Sequence, residues 1–284
     1  MFARGALLRR WQALGPDVGV LIETGIDEGA NHQPPLETHP ALTLEMGSVF
    51  RVFLLAAFAR LVDRGEATWE QPFELTSATR VPHSAVLESR PDGDVIPAHE
   101  LLVAMICQSD NTATQIMLGC LPVEEVDHVL QAAGLEATRF TRDLVELYVR
   151  ATADPLTELE GCRTTVVELV WFYRFSLSGR MLERGDADRT FRDILGSEGL
   201  DQEFVWGAGM TCLRKSGYVA PPPLPGIGFA GAMLGGAHPL VFAFDHNRRI
   251  DEGAKELADA FGRCIRDTLL SALTSGNLSR MPTT

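Results

Sequence analysis

Three short polar stretches, far apart in a chain of 284 residues, put a hydroxyl beside a cation or an amide. In MGSVFR, residues 46 to 51, Ser48 opens an almost uninterrupted apolar run and Arg51 follows three positions later. With Ser48 in the first turn of a helix, position i+3 falls on the same face one turn on. The hydroxyl then sits in the positive field of the helix N-terminus, which favours developing negative charge. A cation at that spacing could hold, orient or deprotonate the serine. Equally, Ser48 could cap the helix while Arg51 reaches to solvent. In QSDNTAT, residues 108 to 114, Ser109, Asp110 and Asn111 interrupt two apolar helical segments, as an ordinary interhelical turn also would. In RKSGYV, residues 214 to 219, Lys215, Ser216 and Gly217 lie in a strand-like run, where a glycine kink with an exposed lysine is the plain alternative.

The elements that must carry these residues follow from the hydrophobic period. MFARGALLRRWQALG reads as an amphipathic N-terminal helix, and VGVLIET (18–24) as a short strand bounded by Gly15-Pro16-Asp17 and Gly25. ALTLE (41–45) is a second strand candidate, and the apolar helix runs from Ser48 to about Arg64. A Pro/Gly/Asp-rich loop covers residues 80–97, with PDGD as its turn signal. HELLVAMIC and TATQIMLGC read as helices on either side of QSDN, and VEEVDHVLQAAG as a third with a glycine stop. TTVVELVWFYRF is a fourth, capped by Thr164 or Thr165. Residues 180–205 are polar and weakly patterned. MTCLRKSGYV, GIGFAGAML and HPLVFAFDHN then switch to a strand period, and DEGAKELADAFGRCIRDTLLSAL closes the chain as an amphipathic helix.

Strands at both ends and helices between them imply an α/β (α+β) chain. One antiparallel sheet is built from both termini and flanked by helices, with an all-helical lobe inserted. The expected division is a single domain with an α/β lobe at about 1–47 plus 206–284 and a helical lobe at about 48–205.

Composition narrows the function classes. A net charge of −13 disfavours a nucleic-acid groove or an anionic membrane surface, and no apolar run reaches the length of a membrane span. Cys107, Cys120, Cys162, Cys212 and Cys264 form no CxxC pair and no close Cys/His grouping, so neither a metal site nor a disulfide framework is expected. An odd number of cysteines in apolar segments reads as reduced thiols. The N-terminus lacks the apolar core and cleavage site of a signal peptide, so a cytoplasmic, soluble protein is expected. His83 is expected in a loop and His99 in a first helical turn. His238 and His246 are expected at the surface, and Trp206 in the core or in a pocket wall.

Taken in order, the three clusters resemble the penicillin-recognising serine hydrolases, most closely class A β-lactamases, whose S-x-x-K, S-D-N and K-T-G motifs are known. The counterparts are Ser48-Val49-Phe50-Arg51, Ser109-Asp110-Asn111 and Lys215-Ser216-Gly217. MGSVFR is similar to that family's M-A-S-T-F-K, and the likeness spans nearly the whole chain. It implies that Ser48 is the acylated nucleophile and that the oxyanion sits between the backbone N–H groups of Ser48 and Tyr218. It also implies that Ser109 relays a proton to the leaving group and that Asn111 binds the substrate amide. Lys215, Ser216 and the Gly217 strand would hold the substrate's anionic group. No cofactor is implied, and the partner is a small molecule; oligomeric state is not legible.

Three departures stand against full activity. Arg51 replaces the family lysine, and an arginine keeps its proton, so it can orient Ser48 but not deprotonate it. The family's E-x-x-L-N segment is matched only by TRFTRDLVELYVR (138–150). There the glutamate position falls on Leu144 and the asparagine position on Tyr148, with Asp143 and Glu146 out of register. GIGFAGAML has no arginine to clamp a carboxylate. The expected function is a serine hydrolase or acyl-transfer enzyme for a small ester or amide, poor as a β-lactamase. A pseudoenzyme that binds a small molecule or partner, a β-lactamase with rearranged bases, and a lyase or cyclase using the cationic pocket are the alternatives.

Overall fold

The computed structural model describes residues 4–24, 34–140, 142–145, 162–197, 211–218, 227–234, 239–246 and 254–275. Helix α1 (Arg4–Gln12) leads into β1 (Val18–Thr24), β2 (Leu36–Thr38) and β3 (Leu44–Glu45). A 3₁₀ turn, Gly47–Phe50, runs directly into α2 (Arg51–Asp63). The short strands β4 (Pro72–Glu74) and β5 (Val95–Pro97) precede α3 (Ala98–Cys107), α4 (Asn111–Cys120) and α5 (Val123–Ala132). After β6 (Arg163–Thr164) come α6 (Val166–Leu177) and α7 (Gly185–Gly196). The strands β7 (Thr211–Tyr218), β8 (Ile227–Leu234) and β9 (Leu240–His246) and the helix α8 (Ala254–Ser275) complete the described chain.

The main sheet has the order β2-β1-β9-β8-β7 and every pairing in it is antiparallel. The two ends of the chain meet where β1 pairs with β9. Side chains alternate between faces with period two. Val18, Val20, Ile22, Phe242 and Phe244 pack with Trp11 of α1 and Phe261 of α8. Leu21, Ala230, Ala232, Val241 and Ala243 face the larger core built on α2. Every residue of α2 from Arg51 to Ala59 is buried, because the helix threads the middle of that layer and its sequence is apolar on all sides.

Several local readings hold, and three are corrected. Thr165 is the α6 cap, accepting from Glu168 N–H at 3.1 Å, and Gly134 takes φ +74° just beyond α5. The ALTLE strand narrows to β3, which pairs with β6 outside the main sheet. Residues 185–196 are helical, although the charge in GDADRTFRDILG dilutes the pattern. Ala187, Phe191, Ile194 and Leu195 form its buried stripe. His246 is buried, not superficial: it ends a strand with neighbours on both sides and meets the Phe261 ring edge-on at 4.7 Å. Trp206 and His238 lie outside the described residues. No helix among the described residues is long and apolar enough to cross a membrane.

Trp11 locks the outer layer. It stacks on Phe244 at 5.2 Å, meets Phe261 at 5.6 Å, and donates its indole N–H to Thr268 at 3.0 Å. Trp11→Ala is expected to cost about 3–5 kcal/mol in urea unfolding; a loss below about 1 kcal/mol would contradict this packing.

Candidate active site

Ser48 is not a helix cap. It sits, partly exposed, inside the 3₁₀ turn that feeds α2, and the Ser48 carbonyl accepts from Arg51 N–H. The turn is held by Val49 N–H on the Met46 carbonyl at 3.0 Å and by Met46 N–H on the Cys162 carbonyl at 3.0 Å.

Arg51 does not reach solvent. It is 2 % exposed and donates to Asn111 Oδ1 at 2.5 Å and to the Met105 carbonyl at 3.5 Å. The Asn111 amide in turn donates to the carbonyls of Pro82 at 2.8 Å and His83 at 3.3 Å. Asn111 is therefore engaged on both ends by the protein. Asp110 is fully buried and caps α4 through Ala113 N–H at 2.9 Å. Its other oxygen accepts from Val86 at 2.8 Å and Leu87 at 2.9 Å, so one carboxylate ties the 80–90 loop to the start of α4.

Ser109, the residue before this cap, adopts φ +53°, an uncommon conformation for a side chain with a β-carbon. Lys215, 0 % exposed, donates Nζ to Ser109 Oγ at 2.8 Å. Two residues further along β7, Gly217 lies against the Ser48 turn. A β-carbon there would stand 2.8 Å from Val49 N and overlap the Met46 carbonyl oxygen. Only glycine permits that approach. The chain of contacts runs from the Ser48 turn through Arg51 to Asn111, back to Ser109, across to Lys215, and along β7 to the turn again.

Leu144 is buried, and its N–H donates to Gln115 Oε1 at 2.8 Å. Gln115 stands one turn after Asn111 on α4 and so shares its face. Phe140 stacks on Phe50 at 5.3 Å and on Phe53 at 5.9 Å. The position at which the sequence resemblance asks for a glutamate is thus held by a buried leucine. Asp143 is partly buried beside Leu144, Glu146 and Tyr148 lie outside the described residues, and of Tyr218 only the backbone is described. Ser216 is partly exposed on β7. Arg214 cannot supply the missing clamp from the same face. It is the neighbour of Lys215 on a strand, and its guanidinium lies 5.1 Å from the Phe229 ring. The roles of Asp110 as pivot and of the 82–83 carbonyls escaped sequence reasoning, since backbone acceptors leave no mark on residue type.

A hydroxyl on a tight turn, a glycine strand laid against that turn and a lysine of the same strand bonded to a second serine come together on an α+β frame. The profile of the β-lactamase enzyme family matches residues 17–241. The chain belongs to that family. Its fold is that of a β-lactamase from Sphaerobacter thermophilus, with TM-score 0.77 and 20% identity over 96% of this chain and 97% of that one. A β-lactamase from Chitinophaga pinensis aligns with TM-score 0.76 and 17% identity over 94% and 98%. The L158E mutant of PBP-A, solved as an acyl-enzyme with penicillin G, aligns with TM-score 0.70 and 20% identity over 94% and 96%. No curated protein matches the chain by sequence.

Two substitutions probe the geometry. Asp110→Ala leaves three backbone N–H groups without their acceptor and is expected to cost about 3 kcal/mol in thermal or urea unfolding. Gly217→Ala must push β7 off the Ser48 turn. A crystal structure of that variant is expected to show the Lys215–Ser109 bond lengthened or lost, and an undisturbed bond would contradict the tight approach.

Proposed function

We propose that the chain is a serine acyl-transfer enzyme, an esterase, amidase or transacylase for a small substrate, and a poor β-lactamase. The observation that carries this reading is the 2.8 Å bond from Lys215 to Ser109 beside the glycine strand that abuts the Ser48 turn. Ser48 Oγ attacks the substrate carbonyl carbon. Its proton passes to Ser109 as the Ser109 proton passes to Lys215, which must be neutral at that moment. The N–H groups of Ser48 and Tyr218 take the oxyanion, and the leaving group departs with the proton returned through Ser109. Water or an acceptor alcohol or amine then releases the acyl group.

Arg51 serves as a fixed charge that orients the cluster, since a guanidinium is not a base. Ser216 lines the substrate channel in this reading, whereas Asn111, already held by Arg51 and the Pro82 and His83 carbonyls, braces Arg51 and is not given the substrate amide; Asp143 and Glu146 carry no assigned step. Deacylation is slow, because Leu144 stands where a water-activating carboxylate would be needed. The five free cysteines agree with a reducing, cytoplasmic setting.

Incubation with a fluorophosphonate or a fluorescent penicillin, followed by intact mass, tests the reading. Ser48 is expected to be the labelled residue, with label abolished in Ser48→Ala; absence of any Ser48 adduct would instead favour a ligand-binding pseudoenzyme. Lys215→Met is expected to remove the alkaline-rising limb of acylation by an activated ester. An unchanged pH profile would refute the lysine's role. Leu144→Glu is expected to convert a persistent adduct into one that turns over, by about tenfold or more if the new carboxylate reaches the bound water.

A further inference from the structure

The register of the main sheet aligns four residues in one row across it: Gly217 on β7, Gly228 on β8, Asp245 on β9 and Gly19 on β1. Paired residues in antiparallel strands project to the same face. The three glycines leave a trough on the face toward α2, and residues 44–49 lie in it. A β-carbon on Gly19 would stand 2.6 Å from Leu44 Cδ1. One on Gly228 would stand 3.0 Å from Val49 Cγ2, 3.2 Å from the Met46 carbonyl oxygen and 3.5 Å from Asp245 Oδ2. The segment that delivers Ser48 is therefore bedded on glycine everywhere in this row except at Asp245.

The Asp245 side chain is 0 % exposed, and neither of its oxygens has a hydrogen-bond partner among the described residues. The acid is costly to keep there, because an ionised carboxylate without a partner is strongly disfavoured in a dry interior. Burial pushes its pKa well above the ordinary aspartate range; the Glu45 carboxylate adds to the rise and the His246 backbone N–H opposes it. Among the described residues, the neighbours place no cation against it. β1 and β8 present glycine in this row. β3 brings Glu45, which leans toward Arg163 at 3.7 Å. β7 places Lys215 on the same face one pair further along, turned to Ser109. From α6, Val166 lies over Gly19, Glu168 is bonded to Ala137 and Thr138, and Tyr173 is buried in the same core.

We propose that Asp245 is a positioning residue for Ser48: its uncharged carboxyl floors the turn that carries the nucleophile, and its ionisation displaces that turn and stops acylation. The inference rests on the acyl-transfer reading for its second half only. A negative charge below the turn opposes the oxyanion forming above it and draws solvent or cations into the trough, lifting residues 46–49 away from β8. This carboxyl takes no part in bond making and touches no substrate.

The test uses the full chain, wild type and Asp245→Asn, which keeps the shape and removes the ionisation. The backbone amide signals of Gly47, Ser48 and Val49 are followed by NMR from mildly acid to alkaline pH, and Ser48 labelling by a fluorophosphonate is timed over the same range. In wild type the amides are expected to titrate together, and the labelling rate of wild type relative to Asp245→Asn, in which the alkaline rise due to Lys215 cancels, is expected to fall at the same midpoint by roughly tenfold per pH unit beyond it. In Asp245→Asn both the amide titration and the fall in labelling are expected to vanish. Thermal unfolding supplies an independent check on the buried acid. A folded-state pKa raised above the unfolded one means stability is intact in acid and lost as pH rises towards the folded value. Asp245→Asn should thus gain in Tm over wild type as pH rises from about 4. Amides that do not titrate, or that titrate equally in Asp245→Asn, overturn the proposal whatever the labelling does. Titrating amides with no labelling at any pH uphold the positioning role and reject the acyl-transfer reading instead.

Discussion

One close approach governs the cleft: β7 must come within contact distance of the turn that carries Ser48. The backbone of Gly217 meets Met46 and Val49 with no room for a side chain. At that separation, Lys215 projects from the sheet and reaches Ser109 on the helical side at 2.8 Å. Were β7 lifted by the thickness of a methyl group, the lysine would lose its partner and the sheet would no longer touch the Ser48 turn. The rest of the architecture serves this contact. α2 is wrapped in apolar residues and cannot shift without opening the core, and Asp110 fixes the 80–90 loop and α4 to one another.

The second governing feature is Arg51, buried one turn after Ser48. A guanidinium holds its charge and offers a planar fork of donors, and here those donors go to Asn111 and the Met105 carbonyl. It thus behaves as a bracket between α2, α3 and α4. In the function proposed here, proton transfer moves from the serine helix to the sheet, where Lys215 already contacts Ser109. Beside the Ser48 turn, Phe50 and Phe140 stack on one another, and Leu144 is buried in the same core.

Much of the frame was legible because it depends on patterns that survive in one dimension. The apolar helix after Ser48, the paired helices around QSDN and the three late strands all carry an unambiguous period. So does the amphipathic closing helix. What failed to read were elements whose pattern is weak or whose environment is imposed. The stripe of α7 is masked by its charges, and His246 is polar in type yet buried, because α8 covers the strand that carries it. Ser48 reads as a first-turn or capping residue of the apolar helix and instead occupies the 3₁₀ turn that precedes it, a local difference that propensity does not resolve.

By itself the sequence determined the fold class and the order of the three polar clusters. It also determined the loss of basicity at Arg51 and the apolar character of position 144, since these follow from residue type and spacing. Only the tertiary structure decided that Arg51 donates to Asn111, that Lys215 meets Ser109, and that Gly19, Gly228 and Gly217 fall in one row with Asp245 beneath the Ser48 turn. Those relations depend on strand register and on contacts between residues as distant in the chain as Gly19 and Asp245, and a single-residue slip in register would turn each side chain to the opposite face.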